Sequence, residues 1–162
     1  MQQVSFRRMD QGTPADYALL NSLEDEFVAA LPERILAALG ELEQSLAGYQ
    51  ISRLEHSLQS ATRAECDGAD IEMIVGALIH DLGDDLAPLN HSQLAASIIR
   101  PYVRGEVAWV IEHHGVFQMY YYGDAMGVDK NAREIYRGHK WFDSCEKFCG
   151  QWDQMSFDPD YT

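Results

Sequence analysis

Basic residues are scarce in this chain: twelve Lys and Arg stand against twenty-six Asp and Glu, a formal net charge of −14. Such a balance lacks the positive surface that neutralises phosphate backbones or anionic headgroups, so neither nucleic acid nor a membrane surface is an expected partner. No apolar run approaches the ~20 residues of a membrane span. Residues 1–10 hold Arg7 and Arg8 with no apolar stretch behind them, so no signal peptide is expected. Cysteine is sparse and odd in number: Cys66, Cys145 and Cys149. The i, i+4 pair Cys145 and Cys149 could clip a metal, but there is no CxxC. Reduced thiols packing as small hydrophobes in a cytoplasmic protein is the plainer expectation. Alternating strand patterns, internal repeats, low-complexity tracts and linkers are also missing. At 162 residues the chain fits one domain whose core needs no covalent staples.

What is present is helical periodicity. Thr13-Pro14 reads as an N-cap with proline at the first helical position, and Tyr17, Leu20, Leu23, Phe27 and Leu31 then mark one face. Pro32 restarts a helix with Leu36, Leu39, Leu42 and Leu46 inward, ending near Gly48. Ser52-Arg53-Leu54-Glu55 is a capping box opening a helix with Leu54, Leu58 and Ala61 on one side. Asp70 caps the next helix, stopped by Gly83. Asn90 caps another, ended by Pro101. Gly105 to His114 is a short helix with Gly115 past its end, and the aromatic stretch 117–122 forms a separate helical piece. Residues 123–140 are least regular, with Asp129 capping a turn or two through Tyr136. A last helix spans about 142–154, before a polar, acidic tail. The expectation is an all-α single domain over 1–162, with N-terminal helices in 1–50 and a core in 51–154.

The stretch Met73 to Gly83 carries His80-Asp81 at the end of an apolar run. Burying an imidazole and a carboxylate without partners costs several kcal/mol, on the order of 2–7 for each polar group. A metal offsets that cost, since neutral imidazole and carboxylate are natural ligands. Further donors are available on other short helices: His56, His91, His113, His114 and Asp153. Helix ends converge when a bundle folds. Taken singly, each histidine is more simply a hydrogen-bonded core or surface residue; together they form a pattern that chance seldom produces.

On these residues the chain resembles the HD-domain superfamily, whose helical bundle binds metal through an early His, the His-Asp pair and a late Asp, here His56, His80, Asp81 and Asp153. The segments Leu54-Glu55-His56-Ser57-Leu58-Gln59, Gly68-Ala69-Asp70 and Ala77-Leu78-Ile79-His80-Asp81-Leu82-Gly83 resemble more narrowly the organophosphonate-cleaving oxygenases and, more distantly, inositol oxygenase. The likeness runs from Ser52 to Asp153. It implies a mixed-valent Fe(II)/Fe(III) pair with His91 and His114 as two further ligands, and Asp81 as the bridge at the catalytic centre. His113 fits less well, since one helical step turns a side chain by about 100°. Relatives of this type often continue with another helix after the late aspartate, which makes a shortened chain the expectation here.

Two functions follow from the resemblance. The first is an O2-dependent oxygenase cleaving a C–P or C–C bond of a small hydroxylated molecule. The second is a phosphohydrolase with Mn or Mg acting on a phosphate ester or nucleotide. A binding protein keeping the site as a relic is a third. A histidine-rich set favours iron over magnesium. The chain also departs from the pattern. Where many superfamily members have lysine after the His-Asp-Leu-Gly run, it has Asp84; where the phosphonate oxygenases have lysine four residues past the last metal histidine, it has Gln118. Arg133, Arg137, His139 and Lys140 are the basic candidates left near the mouth. Asp84, Gln118, Tyr121 and Arg137 are therefore candidate substrate contacts. With Tyr120, Tyr121, Tyr122 and Phe117 nearby, they point to a substrate with an amine, trimethylammonium or other zwitterionic end, though tyrosines at helical spacing also suit plain packing. A homo-oligomer is compatible with all of this.

Overall fold

The computed structural model describes residues 2–161, and every regular element among them is helical. None of these helices is long and apolar enough to cross a membrane. The chain divides into two compact units, Met1–Ala38 and Leu39–Thr162.

The first unit holds α1 (Pro14–Ala29) and most of α2 (Leu31–Glu41). Thr13 and Asp16 form a reciprocal capping box at the start of α1, with Pro14 at the first helical position. Asp16 also accepts from the Ser5 N–H at 2.9 Å. The Thr13 hydroxyl and the Ser5 and Thr13 amides favour the ionised carboxyl and lower its pKa to about 2. The apolar face expected of these helices is only partly covered: Leu23, Phe27 and Leu36 are exposed.

The second unit carries α3 (Arg53–Cys66), α4 (Ile71–Ile79), α5 (His91–Ile99), α6 (Gly105–Met126) and α7 (Phe142–Lys147), the last continuing into a π-helical turn, Phe148–Asp153. The Ser52–Glu55 capping box opens α3. The Asp70 side chain accepts from the Glu72 and Met73 amides at the start of α4. Asn90 stands at the N-cap of α5 but makes no side-chain cap bond.

Helix α6 is the spine. Val107, Val110, Ile111 and Phe117 are fully buried on it, against Met73, Ala77 and Ile79 of α4 and Ala95, Ala96 and Ile99 of α5. Each large side chain buried there contributes about 1.5–3 kcal/mol. Two expected helices are thus one: Gly115 lies inside α6, which runs unbroken to Gly127. Gly127 adopts the left-handed conformation at φ +71°, which glycine adopts without strain. Helical hydrogen bonds persist through Gly115 because packing on α5 outweighs one residue's low propensity.

Other boundaries shift for similar reasons. Leu58 is exposed, and α3 instead buries His56, Ser57, Ser60 and Ala64. Leu39 and Leu42 are buried as expected, but Leu36 and Leu46 are exposed. Helix α4 ends at Ile79, so His80-Asp81 opens a turn rather than closing a helix. The acidic tail is anchored: Ser156 is fully buried, and the Asp158 carbonyl accepts from the Gln59 amide at 2.7 Å.

Candidate metal centre

Five segments deliver the six candidate donors. His56 projects from the second turn of α3, His80 and Asp81 from the turn after α4, His91 from the first position of α5, His114 from mid-α6, and Asp153 from the end of the π-helical turn. π-Helical turns often sit at functional sites, where the extra residue re-aims a side chain. Two glycines permit the convergence. A Cβ on Gly83 would lie 2.6 Å from the His91 carbonyl oxygen and 2.8 Å from its Cα. A Cβ on Gly115 would lie 2.9 Å from Ser92 Oγ. Only hydrogen at these positions lets the turn, α5 and α6 approach closely enough to bring His91 beside Asp81. Gly83 and Gly115, expected as helix stops, are close-approach positions instead.

The donors form three overlapping triads: His56, His80 and Asp81; His80, His114 and Asp153; and Asp81, His91 and His114. Within each, one donor atom per residue lies within 4.8 Å of the others. Asp81 lies between two sets. Its Oδ2 is 3.2 Å from His56 Nε2 and 3.1 Å from His80 Nε2, while its Oδ1 is 3.3 Å from His114 Nε2 and 3.5 Å from His91 Nε2. Asp153 Oδ1 closes the first set, 3.3 Å from His56 Nε2 and 3.5 Å from His80 Nε2.

The ring tautomers follow from the other nitrogens. The Nδ1–H groups of His56, His80 and His114 donate to the carbonyls of Ser156, Ala77 and Ile111, each at 2.7 Å. Every Nε2 is thereby aimed inward, an outer arrangement that fixes imidazole ligands on metals. His56 Nε2 and His80 Nε2 face one another at 3.0 Å, and Asp153 Oδ2 is buried with no hydrogen-bond partner. Two inward nitrogens and an orphaned carboxylate oxygen need positive charge among them.

The electrostatics agree. Burial would lower the His80 pKa, yet Asp81 and Asp153 outweigh it and hold the imidazole well above its ordinary value; His56 is raised in the same way by Asp153 and Asp81. Burial would raise Asp81 and Asp153, yet the neighbouring imidazoles keep both carboxyls below the usual range. Cations are favoured here, whether protons on imidazole or metal ions, and the imidazole–carboxylate set fits a transition-metal pair.

Five of the six donors, all but the fully buried His80, line a cavity of about 950 Å³, whose wall also includes Asp84, Gln118 and Tyr121. Gln118 is buried with Oε1 unpartnered. Tyr121 places its hydroxyl against Gly150 of the π-helical turn, where an added Cβ would stand 2.7 Å from it. Asp84 is not a free anion: Oδ2 accepts from Arg53 Nε at 2.7 Å, and Oδ1 lies 3.5 Å from His91 Nδ1.

Arg137 is not part of the cavity wall. It pairs with Glu134 at 2.6 Å and lies over the Phe142 ring, because a carboxylate one helical turn away captures it. Arg133 is buried under Tyr120 and paired with Glu146, His139 stacks on Trp109, and Lys140 lies over Trp141. His113 also turns away, its Nδ1 bonded to the Trp109 carbonyl. The buried thiols of Cys145 and Cys149 donate to carbonyls of α6, and neither belongs to a metal-holding cluster among the described residues.

Sequence reasoning missed Arg53, Ser156 and Phe157. Arg53 lies three residues before His56, hence on the same helical face, and that spacing was an available signal. It bonds both Asp81 and Asp84. Phe157 stacks on His56 with ring centroids 4.2 Å apart, and no local pattern marks it.

Comparison with known proteins adds two findings. A curated protein of Leisingera caerulea, [1-hydroxy-2-(trimethylamino)ethyl]phosphonate dioxygenase (glycine-betaine-forming), is 28% identical over 89 residues, covering 48% of this chain. The match spans 45% of that relative's length, less than half of it. A family model described as HD domain matches residues 53–140, more than half of the chain, and includes five of the six donors. With the adjacent His80-Asp81 pair at the heart of a helical, metal-fitting cluster, the chain belongs to the HD-domain family.

Proposed function

We propose that this HD-family enzyme holds two iron ions in mixed valence and uses O2 to cleave a C–P or C–C bond of a small hydroxylated substrate. The supporting observation is Asp81, which offers one carboxylate oxygen to each of two imidazole sets, as a bridging ligand must. Four imidazoles against two carboxylates favour iron over magnesium, with manganese an intermediate case. Bound iron would supply O2 binding and electron transfer.

The chain's own residues do the rest. The three Nδ1–H anchors hold the imidazoles of His56, His80 and His114 with Nε2 inward, the orientation that metal ligation needs. Asp153 and Asp81 supply the negative charge that retains it. Gln118 Oε1, buried and unpartnered on the cavity wall, is placed to accept a hydrogen bond from substrate. Tyr49, Tyr122 and Phe157 give the same wall aromatic faces, which suit an ammonium or trimethylammonium end. The substrate in the relative's name, a hydroxylated phosphonate bearing a trimethylamino group, has this combination.

A two-metal cradle of this kind also serves hydrolysis of phosphate esters, and family membership alone favours neither chemistry. Anaerobic reconstitution with ferrous iron, metal counting and EPR after limited oxidation test the assignment. Two irons per chain, a mixed-valent signal and O2 uptake with a hydroxylated phosphonate are expected. Phosphate release from esters without O2 uptake, or a single metal per chain, would overturn it.

A further inference from the structure

We infer that Arg53 receives the oxyanionic head of the substrate and that Asp84 is the positioning residue that aims it. The inference deepens the function proposed above and rests on it for the location of the reacting end.

Arg53 sits at the first position of α3, and its side chain is only 11% exposed. Its Nε donates to Asp84 Oδ2 and one Nη2–H to Asp81 Oδ2. Two carboxylates on two different turn positions therefore fix the guanidinium plane, while Tyr49 and Phe157 flank it with ring centroids 5.5 and 5.9 Å from Cζ. A guanidinium carries five N–H groups. Two are used by the aspartates, and Nη1 makes no hydrogen bond among the described residues, while Arg53 lines the cavity beside His56 and Asp81. A rigid, half-satisfied guanidinium beside the donor cluster is built to take an oxyanion through charge-assisted hydrogen bonds.

Charge balance points the same way. Asp81, Asp84, Asp85 and Asp153 bring four negative charges to the cavity wall. Two divalent ions would cancel those four and a mixed-valent pair would exceed them by one, so the charge of Arg53 is in surplus in either case. Other cationic side chains are held elsewhere: Arg133 and Arg137 are paired with glutamates outside this cavity. A substrate anion is thus complementary to the loaded site, and it would lie against both Arg53 and the reacting centre.

The test uses the full chain loaded with manganese, with inorganic phosphate and acetate as probes in titration calorimetry. Arg53→Gln should bind phosphate about tenfold more weakly or worse, the scale of one lost charge-assisted hydrogen bond. Its metal content and melting temperature should stay near wild type. Arg53→Lys, which keeps charge but not the fork, should fall between. Asp84→Asn leaves the contact to Asp81 in place and should weaken phosphate several-fold with both metals retained. Phosphate should lose more than acetate in each variant if the head is tetrahedral; an equal loss assigns a carboxylate and still supports the Arg53 role. Phosphate and acetate affinities within twofold of wild type in Arg53→Gln, or no anion binding by wild type, overturn the proposal. Because manganese replaces iron, these outcomes are separable from failure of O2 uptake or of the mixed-valent signal.

Discussion

The two halves of the cluster are built differently. His56, His80 and Asp153 are all at most 2% exposed, and their partners are fixed: the Ser156 and Ala77 carbonyls and the Phe157 and Phe148 rings. On the other side, His91 keeps about a quarter of its side chain exposed and meets Asp84 at only 3.5 Å. One half is walled in by the tail and the π-helical turn. The other holds His91, the donor most exposed to the cavity that both halves line. An enzyme that must hold metal and admit a second reactant gains from this asymmetry, since a closed position retains an ion while an open one leaves room for exchange.

Replacing the shared residue should abolish both halves. Asp81→Asn is expected to drop metal content from two per chain to below one, as measured by plasma emission spectrometry on dialysed protein. His80→Ala should empty the closed half. It should also destabilise the metal-free fold by about 2–4 kcal/mol in urea, since a fully buried ring is lost and a cavity remains. His91→Ala should sharpen the contrast: one metal retained, the second weakened by more than the ~10–100-fold typical of losing an outer hydrogen-bond partner, and stability changed by no more than about 0.5–1 kcal/mol. If both ions leave together, the halves are not independent and the comparison fails.

Gly83→Ala should act on the open half without touching a donor. Its methyl group meets His91 backbone, so the start of α5 must shift, at about 1–3 kcal/mol. The second metal should weaken while the first stays, and native metal stoichiometry in this variant would refute the close-approach role.

Acidity provides a subtler probe. The imidazoles of His56 and His80 have raised pKa values in the metal-free fold. Protons therefore compete with metal from above the ordinary histidine value of about 6.5 downward. Metal retention, followed by chelator-coupled absorbance, should begin to fall on that alkaline side. In metal-free protein the same shifts act oppositely. Their stabilisation is full below about 6.5 and is lost as pH rises through the raised values. Asp16 provides a control outside both halves: with its pKa lowered to about 2, its contribution to the N-terminal unit is present above about 4 and disappears as pH falls through 2. Helicity of that unit should fade there with no dependence on added metal.

Much of this was legible in residue order. The caps at Thr13, Ser52 and Asp70 are local, because each is a bond between neighbours. Gly115 was misleading for the opposite reason: its role depends on α5, which no local window contains. Leu58 stands on the expected apolar side of α3 yet is exposed, since the cluster, not the leucines, defines which face turns inward. Asp84 could be read as an acidic substrate contact only until its pairing with Arg53, thirty-one residues away, was seen.

By itself the sequence determined the helical class and which side chains could bind metal, because turn periodicity, capping and ligand chemistry are properties of short segments. Tertiary structure alone decided that Asp81 faces two imidazole sets, that the tail anchors His56, that Arg53 commands Asp84 and that Arg137 stands elsewhere. Those facts depend on contacts between distant segments, whose geometry is fixed only when α6 and its neighbours close on one another.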